Sequence, residues 1–72
     1  MNKKNKIKII VNGKQITVKF KFSLKNLVDK LKLPIGSVAI ELNRLIVNKK
    51  NISRVLLKTG DKIEVVHFIG GG

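Results

Sequence analysis

Seventy-two residues, with sixteen lysines and arginines against four acids, give this chain a formal charge of +12. That length holds one domain, and a chain so short buries only roughly 60% of its unfolded surface, so the core must be small. Cysteine is absent, which excludes disulfides, thiolate metal sites and a cysteine nucleophile; the single His67 and the acids Asp29, Glu41, Asp61 and Glu64 leave little for acid–base or metal chemistry.

No apolar run approaches the ~20 residues that cross a bilayer. The Ile9-Ile10-Val11 run behind the basic N-terminus is too short for a signal-peptide core. A soluble, intracellular protein is expected. The positive charge raises nucleic acid as a partner, but fourteen of the sixteen cations are lysine and only Arg44 and Arg54 are arginine, the residue that base readout favours. Tryptophan and tyrosine are absent, so only Phe20, Phe22 and Phe68 could stack on bases. Lysine, isoleucine and asparagine all have A/T-rich codons, and an A/T-rich genome, plastid or low-GC bacterial, accounts for much of the lysine. Nucleic acid is therefore not the expected partner, although acidic protein faces are steered toward such a surface.

Met1 to Asn5 read as a loose basic tail. Ile7, Ile9 and Val11 alternate with Lys6 and Lys8, the period of a half-buried strand. Asn12-Gly13 is a hairpin signal, because a type I′ turn needs positive φ at both central residues. Ile16, Val18, Phe20 and Phe22 then alternate with Thr17, Lys19 and Lys21, so the return strand is expected to run to Phe22 with a basic outer face.

The period changes at Ser23, a good N-cap. Leu24, Leu27, Val28 and Leu31 mark one face of a helix, which ends near Lys32 because Pro34 disfavours helical geometry at Leu33. Val38, Ile40 and Leu42 form a third strand, Asn43-Arg44 a turn, and Leu45 to Val47 a short fourth strand. Asn48 to Asn51 read as a polar loop, Ile52 to Leu57 as irregular apolar chain, and Lys58 to Asp61 as a turn with Gly60 at positive φ. A last strand alternates Ile63, Val65 and His67 with Glu64, Val66 and Phe68; His67 falls in the buried set, so a half-buried imidazole is expected there.

A hairpin, a helix, then more strands is an α+β order with the helix on one sheet face. By fold analogy it is that of the ubiquitin-like β-grasp: a mixed four- to five-stranded sheet with one main helix, in which the first and last strands lie side by side. The expected organisation is a flexible basic tail over residues 1–5, the β-grasp domain over 6–69, and a flexible glycine tail over 70–72.

The sequence finishes on Gly70, Gly71 and Gly72 directly after Val65-Val66-His67-Phe68-Ile69. Glycine is the residue that costs most to order. A glycine end makes chemical sense where a carboxylate must thread a channel too narrow for any Cβ; a flexible stub or a linker remnant is the other reading of the tail alone.

The stretch from Asp61 to Gly72, with its His67-Phe68-Ile69-Gly70-Gly71-Gly72 ending, resembles the C-terminal signature of the ThiS family of thiamine-pathway sulfur carriers. Ile9 to Lys14 and Asn43 to Val47 are similar to family positions too, so the resemblance covers Ile7 to Gly72. It implies a carrier rather than a catalyst, with no bound cofactor. An adenylating enzyme of the ubiquitin-activating, ThiF type would use ATP to activate the Gly72 carboxylate. A persulfide sulfur donor would convert it to a thiocarboxylate, and a ThiG-type thiazole synthase would take the sulfur into the thiazole ring. Gly70 and Gly71 would thread into the activating enzyme, and His67, Phe68 and Ile69 would lie at the partner interface. The implied compartment is a bacterial cytoplasm or a plastid stroma. Two other readings stay open: a sulfur carrier for molybdopterin or another pathway, and a small basic RNA-binding module resembling S4-like or TGS domains.

Overall fold

Strands β1 (Lys6–Val11) and β2 (Lys14–Lys19) form the expected antiparallel hairpin, in register from Lys6 opposite Lys19 to Val11 opposite Lys14. Asn12 and Gly13 in the loop both have positive φ, 48° and 84°, as a type I′ turn requires. The computed structural model describes residues 5–68. The expectations for Met1–Lys4 and for Ile69–Gly72, the glycine tail included, lie outside those residues. Asn5, placed in the N-terminal tail by its polarity, extends the hairpin by one rung, its carbonyl accepting from Phe20 N at 2.7 Å.

Three more strands complete the sheet: β3 (Val38–Leu42), β4 (Leu45–Ile46) and β5 (Lys62–His67). The strand order is β2-β1-β5-β3-β4. The last strand lies parallel to the first, with Val11 opposite Ile63, and antiparallel to β3, with Val38 opposite His67. This is the five-stranded mixed sheet of the β-grasp. Helix α1 (Leu24–Lys30) buries Leu24, Leu27 and Val28 in the core. Ile7 and Ile9 of β1, Val18 of β2, Val38 and Ile40 of β3, and Ile63 and Val65 of β5 join them there. Each such side chain contributes about 1.5–3 kcal/mol relative to exposure.

The helix starts where expected. Ser23 Oγ accepts from Asn26 N at 2.9 Å, and Asn26 Oδ1 accepts from Ser23 N at 3.0 Å, a capping box that satisfies two donors reciprocally. At the other end Lys32 has φ 54°. Lys32 N donates to Asp29 O at 3.1 Å and Leu33 N to Val28 O at 3.0 Å. These are the two bonds of a Schellman motif, built with lysine where glycine is usual.

Two stretches differ from expectation. The return strand does not reach Phe22: β2 stops at Lys19, Phe20 is exposed, and Lys21 turns the chain at φ 67°. The turn frees the Phe22 carbonyl to accept from Leu57 N at 2.8 Å, while Leu24 N donates to Val55 O at 2.8 Å. Pairing with residues 55–57 thus replaces continuation of the hairpin. Residues Lys49–Arg54, read as polar loop running into irregular chain, form a 3₁₀ helix whose N-cap Asn48 accepts from Lys50 N at 2.9 Å and whose Ile52 is buried. Its apolar content is too sparse to display a helical period. The fourth strand is one residue shorter than expected, although Val47 N still donates to Ile40 O at 2.9 Å.

Candidate functional site

The C-terminal strand β5 is interior to the sheet, and two asparagines at left-handed turn positions fix its course. Asn12 Oδ1 accepts from Val65 N at 2.7 Å, and Asn12 Nδ2 donates to Val65 O at 3.4 Å. Asn43, at φ 52° in the β3–β4 turn, accepts from Lys62 N through Oδ1 at 2.9 Å and donates through Nδ2 to Asp61 Oδ1 at 3.0 Å. The other Asp61 oxygen accepts from Lys58 N at 2.8 Å, which shapes the preceding turn. Asn and Asp suit such positions because their short polar side chains tolerate left-handed φ and hydrogen-bond backbone groups. Beyond the strand, Phe68 N donates to Ser37 O at 2.9 Å, so the main chain is tied to the sheet up to the last described residue.

Side chains at this end divide between two faces. His67 shares the face of Ile63 and Val65 but is exposed, not half-buried. The alternation continues while the core does not, because His67 is the last residue of the strand. Phe68 is half exposed, with Lys49 Nζ 5.4 Å from its ring centroid, a cation–π contact. Val66, opposite Ala39, is also half exposed, and Ile46 of β4, opposite Glu41, is exposed. Val66 and Phe68, with Ala39 and Ile46 on the neighbouring strands, therefore give the outer face of the sheet an apolar character near the strand end. Glu41 and Glu64 face each other across β3 and β5 on this side, a like-charge pairing that repels. Lysines dominate the β1–β2 half, where Lys6 and Lys19 are paired.

Of the residues singled out from sequence, His67 and Phe68 both lie at the end of β5, but on opposite faces of the sheet. Ile69, Gly70, Gly71 and Gly72 lie outside the described residues. Val66 and Ile46 were not singled out from sequence as site residues, although the alternation already sets Val66 with Glu64 on the face away from Ile63 and Val65. Among the described residues no three His, Asp or Glu side chains are grouped to hold a metal ion, and no helix is long and apolar enough to cross a membrane. Within the described residues, this end of the sheet carries the exposed His67 and the half-exposed Phe68.

Comparison with known proteins bears on that end. A model of the ThiS family matches residues 9–72. The crystal structure of the thiamine biosynthesis protein ThiS from Geobacter metallireducens superposes with a TM-score of 0.80 at 30% sequence identity, covering 92% of this chain and 100% of that one. Thiazole synthases of Paramagnetospirillum magneticum and Magnetococcus marinus are 35% and 38% identical over 66 residues, 92% of this chain. The chain spans only 20% of the length of each. The uncharacterized protein ycf40 of Trieres chinensis is 31% identical over 62 residues, 86% of this chain and 85% of that protein.

Proposed function

The chain belongs to the ThiS family, and from that membership we propose that it is a sulfur carrier whose reacting group is the carboxylate of Gly72. What carries the proposal is the family match, which runs through residue 72 on a fold whose interior strand β5 leads into the Gly70-Gly71-Gly72 segment.

A carboxylate is a poor electrophile. In the proposed sequence a ThiF-type adenylating enzyme lets a Gly72 carboxylate oxygen attack the α-phosphate of ATP, with pyrophosphate leaving. The terminal sulfur of a donor persulfide attacks the acyl carbon, and AMP leaves. A second thiol then cleaves the resulting sulfur–sulfur bond, forming a disulfide with the donor and leaving a thiocarboxylate on Gly72. That sulfur passes to the thiazole ring of thiamine on a ThiG-type thiazole synthase. The acceptor assignment is supported by the two thiazole synthases that contain a segment similar to this chain. ATP is consumed by the partner, and the carrier contributes no acid–base pair of its own.

Gly70 and Gly71 serve as slim spacers through the activating enzyme's channel. His67, Phe68 and Ile69 anchor the carrier on its partners; the half-exposed Phe68, beside Val66, is the kind of large apolar side chain that carries interface energy. We place the protein in a bacterial cytoplasm or a plastid stroma. ATP–pyrophosphate exchange with a ThiF-type enzyme tests the channel: the wild-type chain supports exchange and Gly71→Val stops it, because a β-branched side chain both clashes and restricts φ and ψ. Undiminished exchange by Gly71→Val refutes the threading role.

A further inference from the structure

Strand β2 is the outermost strand on its side of the sheet. The bond from Phe20 N to Asn5 O makes Asn5 and Phe20 a hydrogen-bonded pair. Bonded and non-bonded pairs alternate along an antiparallel ladder, so Ile7–Val18 and Ile9–Ile16 are bonded, whereas Lys6–Lys19 and Lys8–Thr17 are not. The partners of β1 confirm the phase, since Ile10 N and Lys8 O bond outward to Asp61 O and Gly60 N. The backbone groups of Gln15, Thr17 and Lys19 therefore point away from the sheet. Such an edge is a template for another extended chain.

Along this edge lies an open hollow of about 290 Å³ lined by Lys6, Thr17, Val18, Lys19, Phe22 and Lys30. Lys6 and Lys19 stand in a non-bonded pair, the closer of the two side-chain spacings, where like charges repel. Lys30 adds a third ammonium from the last turn of α1. None of the three is ion-paired among the described residues, where the salt bridge is Lys25 with Asp29 at 3.1 Å. Edge lysines commonly guard a strand against aggregation. A guard needs only charge on the strand, however, whereas here a lysine from the helix and an apolar wall of Phe22 and Val18 converge on the same hollow.

We propose that the β2 edge is a docking site for an acidic, extended segment of a partner protein. The segment adds as a strand along Gln15–Lys19, its carboxylates meet Lys6, Lys19 and Lys30, and one apolar side chain seats against Phe22 and Val18. Nucleic acid fits less well, because one phenyl ring offers little stacking and the outward amide and carbonyl groups match a peptide backbone. This surface goes beyond the sulfur-carrier role. It lies at the sheet edge, with β1 between it and β5, so a partner holding it leaves the C-terminal strand free.

Amide NMR on the full chain tests it without any sulfur chemistry. The probe is a synthetic peptide with a valine–isoleucine centre flanked by aspartates; a lysine-flanked version and poly-uridine are the comparisons. The expected result is saturable shifts centred on Gln15, Thr17 and Lys19 with the acidic peptide alone. Affinity should fall about tenfold or more in the Lys19→Glu/Lys30→Glu double variant. Thr17→Pro removes an outward N–H at an edge position where proline is tolerated, and it should abolish binding while preserving the dispersed spectrum. Wild-type peptide affinity in Thr17→Pro, or shifts at these amides with poly-uridine but not with the acidic peptide, overturns the proposal. If Thr17→Pro unfolds, unchanged affinity in the charge-reversed variant overturns it as well.

Discussion

Asn12 closes the β1–β2 hairpin and also grips Val65, 53 residues further along, accepting from its N–H at 2.7 Å and donating to its carbonyl at 3.4 Å. One side chain thus does for β5 what a further residue of β1 would do: it supplies an acceptor and a donor to the neighbouring strand, at the point where β1 turns away. The strand leading to the chain's C-terminal end is located by a residue of its first turn.

The consequence for stability is specific. Asn12→Ala removes both bonds and places a Cβ residue without a polar side chain at φ 48°. Loss of a partner for a part-buried backbone group costs about 1–3 kcal/mol, and left-handed geometry adds about 1–2 kcal/mol. Asn12→Gly loses the bonds but not the conformation. Urea denaturation should rank wild type above Asn12→Gly, and Asn12→Gly above Asn12→Ala. In both variants the Val65 amide should exchange its hydrogen faster than in wild type. Equal stability of the two variants would contradict the contribution from backbone conformation.

Lys32 offers the opposite case. Its backbone sits at φ 54° in the Schellman motif that ends α1, and its side chain is exposed. Glycine adopts this conformation without a Cβ penalty. Lys32→Gly should stabilise the fold by up to about 1 kcal/mol, the unfolded-chain entropy of glycine offsetting part of the gain. Thermal unfolding at fixed ionic strength is the measurement, and a lower midpoint would show that the strain at this cap is negligible.

Phe68 is half exposed, and its ring makes one exposed cation–π contact with Lys49, worth about 0.5–1 kcal/mol. Phe68→Ala should therefore leave the folded state nearly as stable as wild type. If Phe68 anchors the activating enzyme, the same change should raise the KM for the carrier about tenfold, the scale of an interface anchor, with a smaller effect on kcat. A variant with unchanged KM would remove Phe68 from the interface.

Local signals predicted much of this molecule. The Asn12-Gly13 turn, the Ser23 cap and the Leu24-Leu27-Val28 stripe each act over a few residues, and each appears where those signals place it. Non-local competition defeated the same approach at Phe20–Phe22: alternation favoured a longer strand, yet pairing of Phe22 and Leu24 with residues 55–57 won. Asn12 and Asn43 were legible as turn residues, whereas their grip on β5 depends on strand adjacency that no local pattern encodes. His67 illustrates a limit of periodicity, which identifies a face but not where the core stops. The reading of the glycine end came from family resemblance rather than from packing, and that segment lies outside the described residues.

The most direct test of the sulfur-carrier assignment is the intact mass of the full chain after incubation with a ThiF-type adenylating enzyme, ATP and a persulfide donor, followed by C-terminal fragmentation. The account predicts exchange of one oxygen for sulfur, located on Gly72 and lost when Gly72 is deleted. An unchanged mass, with an adenylating enzyme shown to load another carrier in the same mixture, would contradict it.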